Sequence, residues 1–315
     1  GVGWIPRLLA GGRIRVTEIH RDRNPYFGGV NPEPIRPNVD EWLEEIPRWG
    51  ADIGIAFDGD ADRVGMATEQ GVFVNQLQVY GLLYWYLLDV RGQIGPAVYT
   101  VTTTSMARKL AEVYGTQAYE TGVGFKFVGP KMTETNAVIG GEESGGFGFG
   151  MHIPERDGLA SGLFLMDLWL TKGKQASEVL AELQALAGPS YYDRIDIRFA
   201  REGYEQVKAD MLARLQDEAP TTLSGQEVVE RKALDTNDGF KFYRADGSWL
   251  LIRFSGTEAL LRVYVEARSP QDVEALLAEG ARVGPDVTLV DSVVGEGASV
   301  LRAHAVQAWV GPAPP

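Results

Sequence analysis

Two short apolar runs of this chain, Ala51–Phe57 and Ala137–Ile139, each lead directly into a glycine-rich loop that carries carboxylates. Helix-like segments follow both loops, and alternating strand and helix signals favour α/β units with mainly parallel sheets. We therefore predict two related α/β domains, residues 1–93 and 94–189. Ligands of such sheets bind beyond the carboxyl ends of the strands, where both loops are expected to lie.

The beginning of the sequence has the pattern of the second half of a β-α-β unit. A helix-like run, Trp4–Ala10, is followed by two glycines and by the strand-like run Ile14–Ile19. A complete unit of the same kind occurs later, with a strand at Ala97–Thr102 and a helix at Met106–Tyr114. By this comparison we expect the first strand of the first domain to be missing from this chain.

The pattern changes after Pro189. Alternating strands and two helices predict a smaller α+β domain over residues 190–284, whereas residues 285–315 remain an unassigned tail. The apolar run Leu77–Leu88 is too short to span a bilayer and predicts a buried helix.

Charge and composition restrict the function classes. The net charge is −13 and the sequence pI is about 4.8, which argues against nucleic acid or an anionic membrane as partner. An anionic small molecule remains compatible if basic residues converge locally. There is no cysteine, so disulfides and thiol catalysis are excluded, and the cytoplasm is the expected location.

Three carboxylates at alternate positions, Asp58, Asp60 and Asp62, form the centre of the first loop. They can turn inward together and surround a hard divalent cation with oxygen ligands. A calcium-binding helix pair is excluded because Arg63 stands where that loop requires glycine and a strand-like run precedes it. The pattern predicts a Mg²⁺ loop, and a solvated acidic turn is the alternative.

A second candidate loop runs from Arg253 through Phe-Ser-Gly-Thr-Glu, between two strong strand signals. The hydroxyl groups of Ser255 and Thr257, the backbone N–H groups around Gly256 and the Arg253 guanidinium would form an anion cradle. Arg262 can approach the same place across the turn. The alternative is an ordinary hairpin turn flanked by solvated arginines.

Two further loops carry polar side chains among glycines. Glu142 and Ser144 lie in Gly-Gly-Glu-Glu-Ser-Gly-Gly, an arrangement that lets a ligand approach the backbone and that suits the hydroxyl groups of a sugar. Lys126 follows Thr-Gly-Val-Gly-Phe, where it can meet a phosphate, although a surface lysine is the commoner explanation.

Taken in chain order, these four loops together resemble the α-D-phosphohexomutase family, which includes phosphoglucomutases and phosphomannomutases. The resemblance covers about residues 1–284 and extends to Arg-Asn-Pro-Tyr-Phe-Gly-Gly-Val-Asn-Pro-Glu-Pro at residues 23–34. It implies four domains around a cleft and a phosphoserine that exchanges a phosphoryl group with a hexose phosphate. A hexose 1,6-bisphosphate is the implied intermediate and activator.

The resemblance also implies roles for individual residues. Asp58, Asp60 and Asp62 would hold Mg²⁺, Arg63 would lie beside the phosphoserine, and Lys126 would face the hexose phosphate substrate. Glu142 and Ser144 would bind sugar hydroxyl groups. The non-transferring phosphate would be held by Arg253, Ser255, Gly256, Thr257 and Arg262.

One departure from the family is large, because the serine loop, typically Thr-Ala-Ser-His-Asn-Pro, is absent from this sequence. We therefore expect this chain to be inactive alone and the serine-bearing domain to be absent from it. Two alternatives stay open: a magnesium-dependent sugar-phosphate phosphatase and a non-catalytic sugar-phosphate-binding fragment. Glucose is favoured over mannose without being settled, and the sequence leaves the oligomeric state open.

Overall fold

The structure is a computed structural model that describes residues 1–256, 258–280 and, for the backbone, 300–302. It divides the chain into two compact units, Gly1–Ser190 (unit 1) and Tyr191–Pro315 (unit 2), and each is described by itself. Thr257 and most of the predicted tail, residues 285–315, lie outside the described residues. The bounds predicted for the separate domains stay predictions.

Unit 1 combines helices with two sheets, so the predicted α/β class is confirmed. Its helices are α1 (Trp4–Leu8), α2 (Asp40–Trp49), α3 (Gln76–Trp85), α4 (Met106–Val113), α5 (Phe125–Thr135), α6 (Gly158–Lys172) and α7 (Ala176–Ala187). Its strands are β1 (Ile53–Phe57), β2 (Val64–Thr68), β3 (Phe73–Val74), β4 (Ala97–Thr100), β5 (Ala118–Thr121), β6 (Ile139–Gly141) and β7 (Phe147–Phe149).

The two sheets of unit 1 differ in strand direction. In the order β5-β4-β6-β7, the first three strands run parallel and β7 is antiparallel, as a mainly parallel sheet predicts. The sheet β1-β2-β3 is antiparallel throughout, so the prediction of a mainly parallel sheet in residues 1–93 is wrong for these strands. The connection of residues 58–63 between β1 and β2 is too short for the crossover that parallel strands need.

The strand predicted at Ile14–Ile19 does not form. Residues 14–18 form neither helix nor strand, although Ile14 and Val16 are half-buried and Arg15 and Thr17 are exposed, and they pair with no strand in the described part of the chain. The alternating pattern is therefore present without a ladder, because a strand also needs a neighbouring strand to bond with.

The core of unit 1 surrounds α3, in which every residue is buried. This confirms the buried helix predicted from Leu77–Leu88. The Asn75 side chain accepts a hydrogen bond from the backbone N–H of Gln78 and begins the helix, and a π-helical turn, Tyr86–Val90, continues it. Among the described residues, no helix combines the length and apolar character that crossing a bilayer requires.

Unit 2 is an antiparallel sheet with two helices against one face, which agrees with the predicted α+β domain. The helices are α8 (Tyr204–Asp217) and α9 (Pro270–Gly280), and the strands are β8 (Tyr191–Arg198), β9 (Thr222–Leu223), β10 (Gln226–Ala233), β11 (Gly239–Arg244), β12 (Trp249–Phe254), β13 (Leu260–Ala267) and β14 (Val300–Arg302). Their order is β14-β8-β13-β12-β11-β10-β9. Apolar side chains at alternate positions, such as Leu261, Val263 and Val265, form the core with the helices.

Candidate active site

The acidic loop, residues 58–63, closes the hairpin between β1 and β2. Its turn bends at Ala61, whose φ of 62° lies in the left-handed region. One carboxylate oxygen from each of Asp58, Asp60 and Asp62 lies within 4.8 Å of the others. This all-oxygen donor set fits a hard divalent cation such as Mg²⁺.

Arg63 contacts the most buried of these carboxylates. Its backbone N–H donates to Asp58 Oδ1 at 3.1 Å and its Nε to Asp58 Oδ2 at 2.5 Å, while Nη1 donates to Glu33 at 3.3 Å. Burial favours the neutral acid, but the hydrogen bonds from Arg63 outweigh it and hold the pKa of Asp58 below its ordinary value. Asp58 is therefore ionised and oriented before any ligand binds.

The glycine-glutamate loop, residues 140–146, packs directly on the acidic loop. Val64 N–H donates to the carbonyl oxygen of Gly145 at 3.0 Å, and Arg63 and Gly146 form an isolated antiparallel bridge. Gly145 has φ of 92°, and a Cβ there would lie only 2.8 Å from the Val64 carbonyl oxygen. Glycine is therefore required for this close approach.

Arg156 joins the two loops, and the sequence analysis missed it. Its Nη2 lies 2.8 Å from Asp62 Oδ2, and its Nη1 lies 3.9 Å from Glu142 Oε2. Burial raises the pKa of Glu142, although the charge of Arg156 opposes this effect. The available signal was the Arg-Asp-Gly sequence at the start of α6, where Asp157 caps the helix.

Two other predicted residues lie apart from this ion-pair network. Lys126 is exposed in the first turn of α5, with Nζ 5.1 Å from the centroid of the Phe127 ring, and no contact with the acidic loop is found among the described residues. Ser144 is half-buried within the glycine-glutamate loop. The structure thus unites the three aspartates, Arg63 and Glu142, without placing Lys126 against them.

The arginine hairpin, residues 253–262, joins β12 to β13 in unit 2. Ser255 N–H donates to the Leu260 carbonyl oxygen at 2.8 Å, and Ser255 Oγ accepts from Glu258 N–H at 3.2 Å. The Tyr204 hydroxyl lies 3.1 Å from the Ser255 carbonyl oxygen and 3.0 Å from that of Leu260. Gly256 is exposed at the tip. Tyr204 thereby anchors the base of the turn to α8.

Arg253 and Arg262 lie directly opposite each other across this hairpin, as the spacing predicted. Arg253 Nε donates to Asp238 at 2.9 Å, and Arg262 Nε lies 3.5 Å from Asp196. Their side chains are only 17% and 29% exposed, so they are not merely solvated. Burial disfavours the charged form of Arg262, but neighbouring groups that include Asp196 keep its pKa above the ordinary value.

Comparison with known families gives a consistent match along most of the chain. Three family models of phosphoglucomutase/phosphomannomutase match this chain. Alpha/beta/alpha domain II matches residues 1–71, alpha/beta/alpha domain III matches residues 75–186, and the C-terminal domain matches residues 199–283. The chain belongs to the phosphoglucomutase/phosphomannomutase family, and the resemblance inferred from the four loops is confirmed.

Individual relatives support the same membership. The chain is 31% identical to a phosphoglucomutase/phosphomannomutase of Thermococcus kodakarensis over 281 residues, covering 89% of this chain and 57% of the relative. It is 28% identical to a phosphoglucosamine mutase of Campylobacter concisus over 261 residues, covering 81% of this chain and 50% of the relative. A structure described as a putative phosphomannomutase from Thermus thermophilus matches with a TM-score of 0.72 and 35% identity, covering 89% of this chain and 57% of that one.

The chain thus spans between half and three fifths of the length of these relatives. Their names also differ in the sugar, since they include glucose, mannose and glucosamine phosphates. The relatives therefore establish the family of this chain and leave its sugar substrate unassigned.

Proposed function

We propose that the protein acts as a phosphohexomutase, interconverting hexose 1-phosphate and hexose 6-phosphate through a phosphoserine and a hexose 1,6-bisphosphate. The observation that carries the proposal is the packing of the three-aspartate acidic loop against the glycine-glutamate loop. Phosphoryl transfer depends mainly on positioning and on neutralising charge, and these two loops offer groups for both.

The acidic loop is the proposed reaction centre. Asp58, Asp60 and Asp62 would hold Mg²⁺, which supplies positive charge that stabilises a phosphoryl group in transfer. Arg63 is held by Asp58 and would neutralise oxygens of the same phosphoryl group. In the transfer, the bond from phosphorus to the serine oxygen breaks as the bond to a sugar hydroxyl oxygen forms; the sugar hydroxyl loses its proton, and the released serine oxygen gains one.

The glycine-glutamate loop is the proposed sugar site. Glu142 and Ser144 would hydrogen-bond sugar hydroxyl groups. Lys126 would face the reacting end of the substrate. Glucose is the proposed sugar because Gly-Glu-Glu-Ser-Gly resembles the loop of glucose-directed members, in which glutamate occupies the position of Glu143.

The arginine hairpin is the proposed clamp for the phosphate that is not transferred. Arg253 and Arg262 present two guanidinium groups from neighbouring strands, and Ser255, Gly256 and Thr257 would add hydroxyl and backbone donors. Because the bisphosphate must react at either end, one fixed clamp and one fixed reaction centre suffice for both directions.

We propose further that these 315 residues alone do not turn the substrate over. No Thr-Ala-Ser-His-Asn-Pro loop occurs in the sequence, so the phosphoryl carrier would come from outside it. The proposed location of the working enzyme is the cytoplasm, and Mg²⁺ and glucose 1,6-bisphosphate are its proposed cofactors.

A coupled assay for conversion of glucose 1-phosphate to glucose 6-phosphate tests the proposal. It is run with Mg²⁺ and glucose 1,6-bisphosphate on this chain and on a fusion with the serine-bearing domain of the Thermococcus kodakarensis relative. Activity in the fusion, lost in its Asp60→Asn variant, supports the mutase. Release of inorganic phosphate by the short chain would instead establish a phosphatase, and calorimetric binding without turnover by a correctly folded fusion would establish a binding fragment.

A further inference from the structure

Residues 32–34, with the sequence Pro-Glu-Pro, lie against the acidic loop and carry a carboxylate to which the proposed function gives no role. The carbonyl oxygen of Pro32 accepts a hydrogen bond from Gly59 N–H at 3.2 Å. The carbonyl oxygen of Pro34 accepts one from Nε2 of Gln76, a buried residue of α3, at 2.9 Å. Glu33, between the two prolines, is therefore fixed on one side to the acidic loop and on the other to the core helix of unit 1.

The backbone of this segment is also restrained by its own turns and by close packing. Glu33 N–H donates to the Asn31 carbonyl oxygen, and Ile35 N–H donates to the Glu33 carbonyl oxygen, both at 2.8 Å. Such hydrogen bonds close tight three-residue turns, and the flanking prolines fix their own φ. A Cβ at Gly65 of β2 would lie 2.7 Å from the Pro34 carbonyl oxygen, so only glycine allows this approach. The position of Glu33 relative to β2 is therefore set by packing.

Both carboxylate oxygens of Glu33 accept hydrogen bonds. Oε1 accepts from Nη1 of Arg63 at 3.3 Å, and Oε2 accepts from Nδ2 of Asn31 at 3.1 Å. Asn31 belongs to the same turn as Glu33, so its amide orients the carboxylate locally. One oxygen is thereby held in place for the guanidinium of the acidic loop.

Arg63 thus has carboxylate partners on two different nitrogens. Asp58 accepts from Nε and Glu33 accepts from Nη1, whereas Nη2 donates to no acceptor within the described part of the chain. A single hydrogen bond at Nε would leave the guanidinium free to tilt about that bond, and the second bond at Nη1 fixes its plane. Nη2 is consequently the donor that is left for a ligand.

Stability does not explain the pair of Glu33 and Arg63. Their side chains are 37% and 24% exposed, and ion pairs that are this exposed contribute little to the free energy of unfolding. The pair does provide direction, because it holds a guanidinium in one orientation beside the three aspartates. Donors that are oriented before the reaction are what stabilises charge during phosphoryl transfer.

We propose that Glu33 is a positioning residue that holds the Arg63 guanidinium in one orientation and leaves Nη2 to bind an oxygen of the phosphoryl group in transfer. The ligand class is a phosphate or a phosphate ester, whose oxygens match the planar donors of a guanidinium. Glu33 acts through Arg63 and touches neither the phosphoryl group nor the metal. This role rests on the proposed function, whereas the fixed orientation of Arg63 does not and is measured separately.

The orientation is tested on this chain by NMR in the variant Glu33→Gln, which keeps the length of the side chain and removes its charge. We expect rotation about the Cζ–Nη1 bond of Arg63, seen as exchange between its two hydrogens, to become about fivefold faster, because a charge-assisted hydrogen bond is lost. The matched control is Asp40→Asn: Asp40 is 41% exposed, accepts from Arg36 Nε at 2.7 Å and should leave Arg63 unchanged. An unchanged rate in Glu33→Gln, or an equal change in both variants, would overturn the proposal.

The affinity for inorganic phosphate provides a test by sign. Phosphate is titrated into the chain with saturating Mg²⁺, and binding is followed at the Nη resonances of Arg63, which report on the acidic loop and not on the arginine hairpin. If Glu33 were only a nearby negative charge, Glu33→Gln would relieve repulsion and strengthen binding. A positioning role predicts binding about fivefold weaker, because Arg63 must then be ordered by the ligand itself. Stronger or unchanged binding would overturn the proposal.

Calorimetry with Mg²⁺ alone separates positioning from direct metal binding. Glu33 is not among the carboxylates that lie within ligand distance of one another in the described residues. We therefore expect Glu33→Gln to bind Mg²⁺ within about twofold of the parent chain, the change that a partly exposed charge produces. A larger loss of affinity would overturn the proposal in favour of a metal ligand.

The fusion with the serine-bearing domain connects the orientation to turnover. Glu33→Gln should lower kcat about fivefold and leave KM for glucose 1-phosphate unchanged, because the phosphate of the substrate would be held at the arginine hairpin. Asp40→Asn should alter neither constant. A raised KM with unchanged kcat would overturn the proposal. An inactive parent fusion would instead contradict the proposed mutase, and the NMR measurements on the chain alone would still decide whether Glu33 orients Arg63.

Discussion

In unit 1, an antiparallel hairpin carries three aspartates between β1 and β2; in unit 2, an antiparallel hairpin carries two arginines on β12 and β13. Asp58 N–H donates to Arg63 across the first turn at 3.4 Å, and Ser255 N–H donates to Leu260 across the second at 2.8 Å. The first places its charges in the turn itself. The second places its charges on the strands that flank the turn.

Each hairpin balances its charge with opposite groups from distant segments. The acidic loop is contacted by Arg156 from the start of α6, while Asp238 and Asp196 contact the arginines of the second hairpin. The three carboxylates lie within 4.8 Å of one another and outnumber the two neighbouring guanidinium groups. The remaining negative charge favours a cation there. Each arginine of the second hairpin is paired with an aspartate. An anion bound there would therefore be stabilised mainly by the geometry of its hydrogen bonds to the guanidinium groups.

The largest expected effect is the loss of the Asp58–Arg63 pair. The Asp58 side chain is only 1% exposed, and Asp58→Asn deprives Arg63 of its most buried charged partner. We expect the free energy of unfolding of unit 1 to fall by about 3 kcal/mol. Urea denaturation followed by circular dichroism, fitted with separate transitions for the two units, measures the change.

The matched control for this prediction is Asp60→Asn, which removes the same charge from an exposed side chain of the same loop. Its expected effect is below about 0.5 kcal/mol. Equal destabilisation by the two variants would show that the repulsion within the acidic loop, and not the ion pair with Arg63, dominates the stability of this hairpin.

The second prediction concerns the competition between Arg156 and a cation. The guanidinium lies 2.8 Å from Asp62, so it partly occupies a carboxylate that would bind the metal. Removing its charge in Arg156→Gln should strengthen Mg²⁺ binding about tenfold in isothermal titration calorimetry. Arg48→Gln, an exposed ion-pair residue of α2, serves as control and should bind as the parent does. Weaker binding in Arg156→Gln would mean that Arg156 holds Asp62 in place for the metal.

The third prediction concerns guanidinium geometry in the arginine hairpin. Arg253→Lys keeps the charge but loses the planar set of donors, so the affinity for inorganic phosphate should fall several-fold, to about tenfold at most. Arg214→Lys on α8 makes the same change at an exposed ion pair and should have no effect. Calorimetry at constant ionic strength measures both. An unchanged affinity in Arg253→Lys would place the anion elsewhere.

Local pattern was enough to predict that the charged residues of each hairpin lie close together, and it failed for their distant partners. Asp58, Asp60 and Asp62 alternate directly after a strand, and Arg253 and Arg262 flank a turn, so their proximity follows from short-range geometry. The partners belong to other segments. A charged residue far along the chain carries no periodicity that would reveal its contact with the acidic loop.

The strand predicted at residues 14–19 failed for a related reason. Alternation of apolar and polar residues reports which face is buried, and residues 14–18 do alternate in burial. Pairing is a separate requirement that depends on a neighbour elsewhere in sequence. The repeated α/β pattern predicted mainly parallel sheets, but the connection of residues 58–63 is too short for a parallel crossover, so β1 and β2 are antiparallel.

The smallest expected effect is the difference in pKa between Asp58 and Asp62 when the acidic loop is titrated without Mg²⁺. Burial disfavours the charged form of both carboxylates. For Asp58, the hydrogen bonds from Arg63 outweigh burial and lower the pKa. For Asp62, burial raises the pKa despite the opposing charge of Arg156. Asp58 thus contributes stability above its unfolded pKa that is lost as the pH falls through the folded value. For Asp62 the sign is opposite, and stability present at low pH is lost as the pH rises through its folded pKa.

Carboxyl ¹³C chemical shifts recorded in the presence of a chelator should therefore show Asp58 ionising before Asp62 as the pH is raised. In Arg156→Gln the pKa of Asp62 should rise further, while that of Asp58, held by Arg63, should change less. Equal shifts of both carboxylates in this variant would mean that the three aspartates share their protons as one group. In that case the balance of the acidic loop would rest on its total charge, and the arginine hairpin would be the only one of the two with individually paired residues.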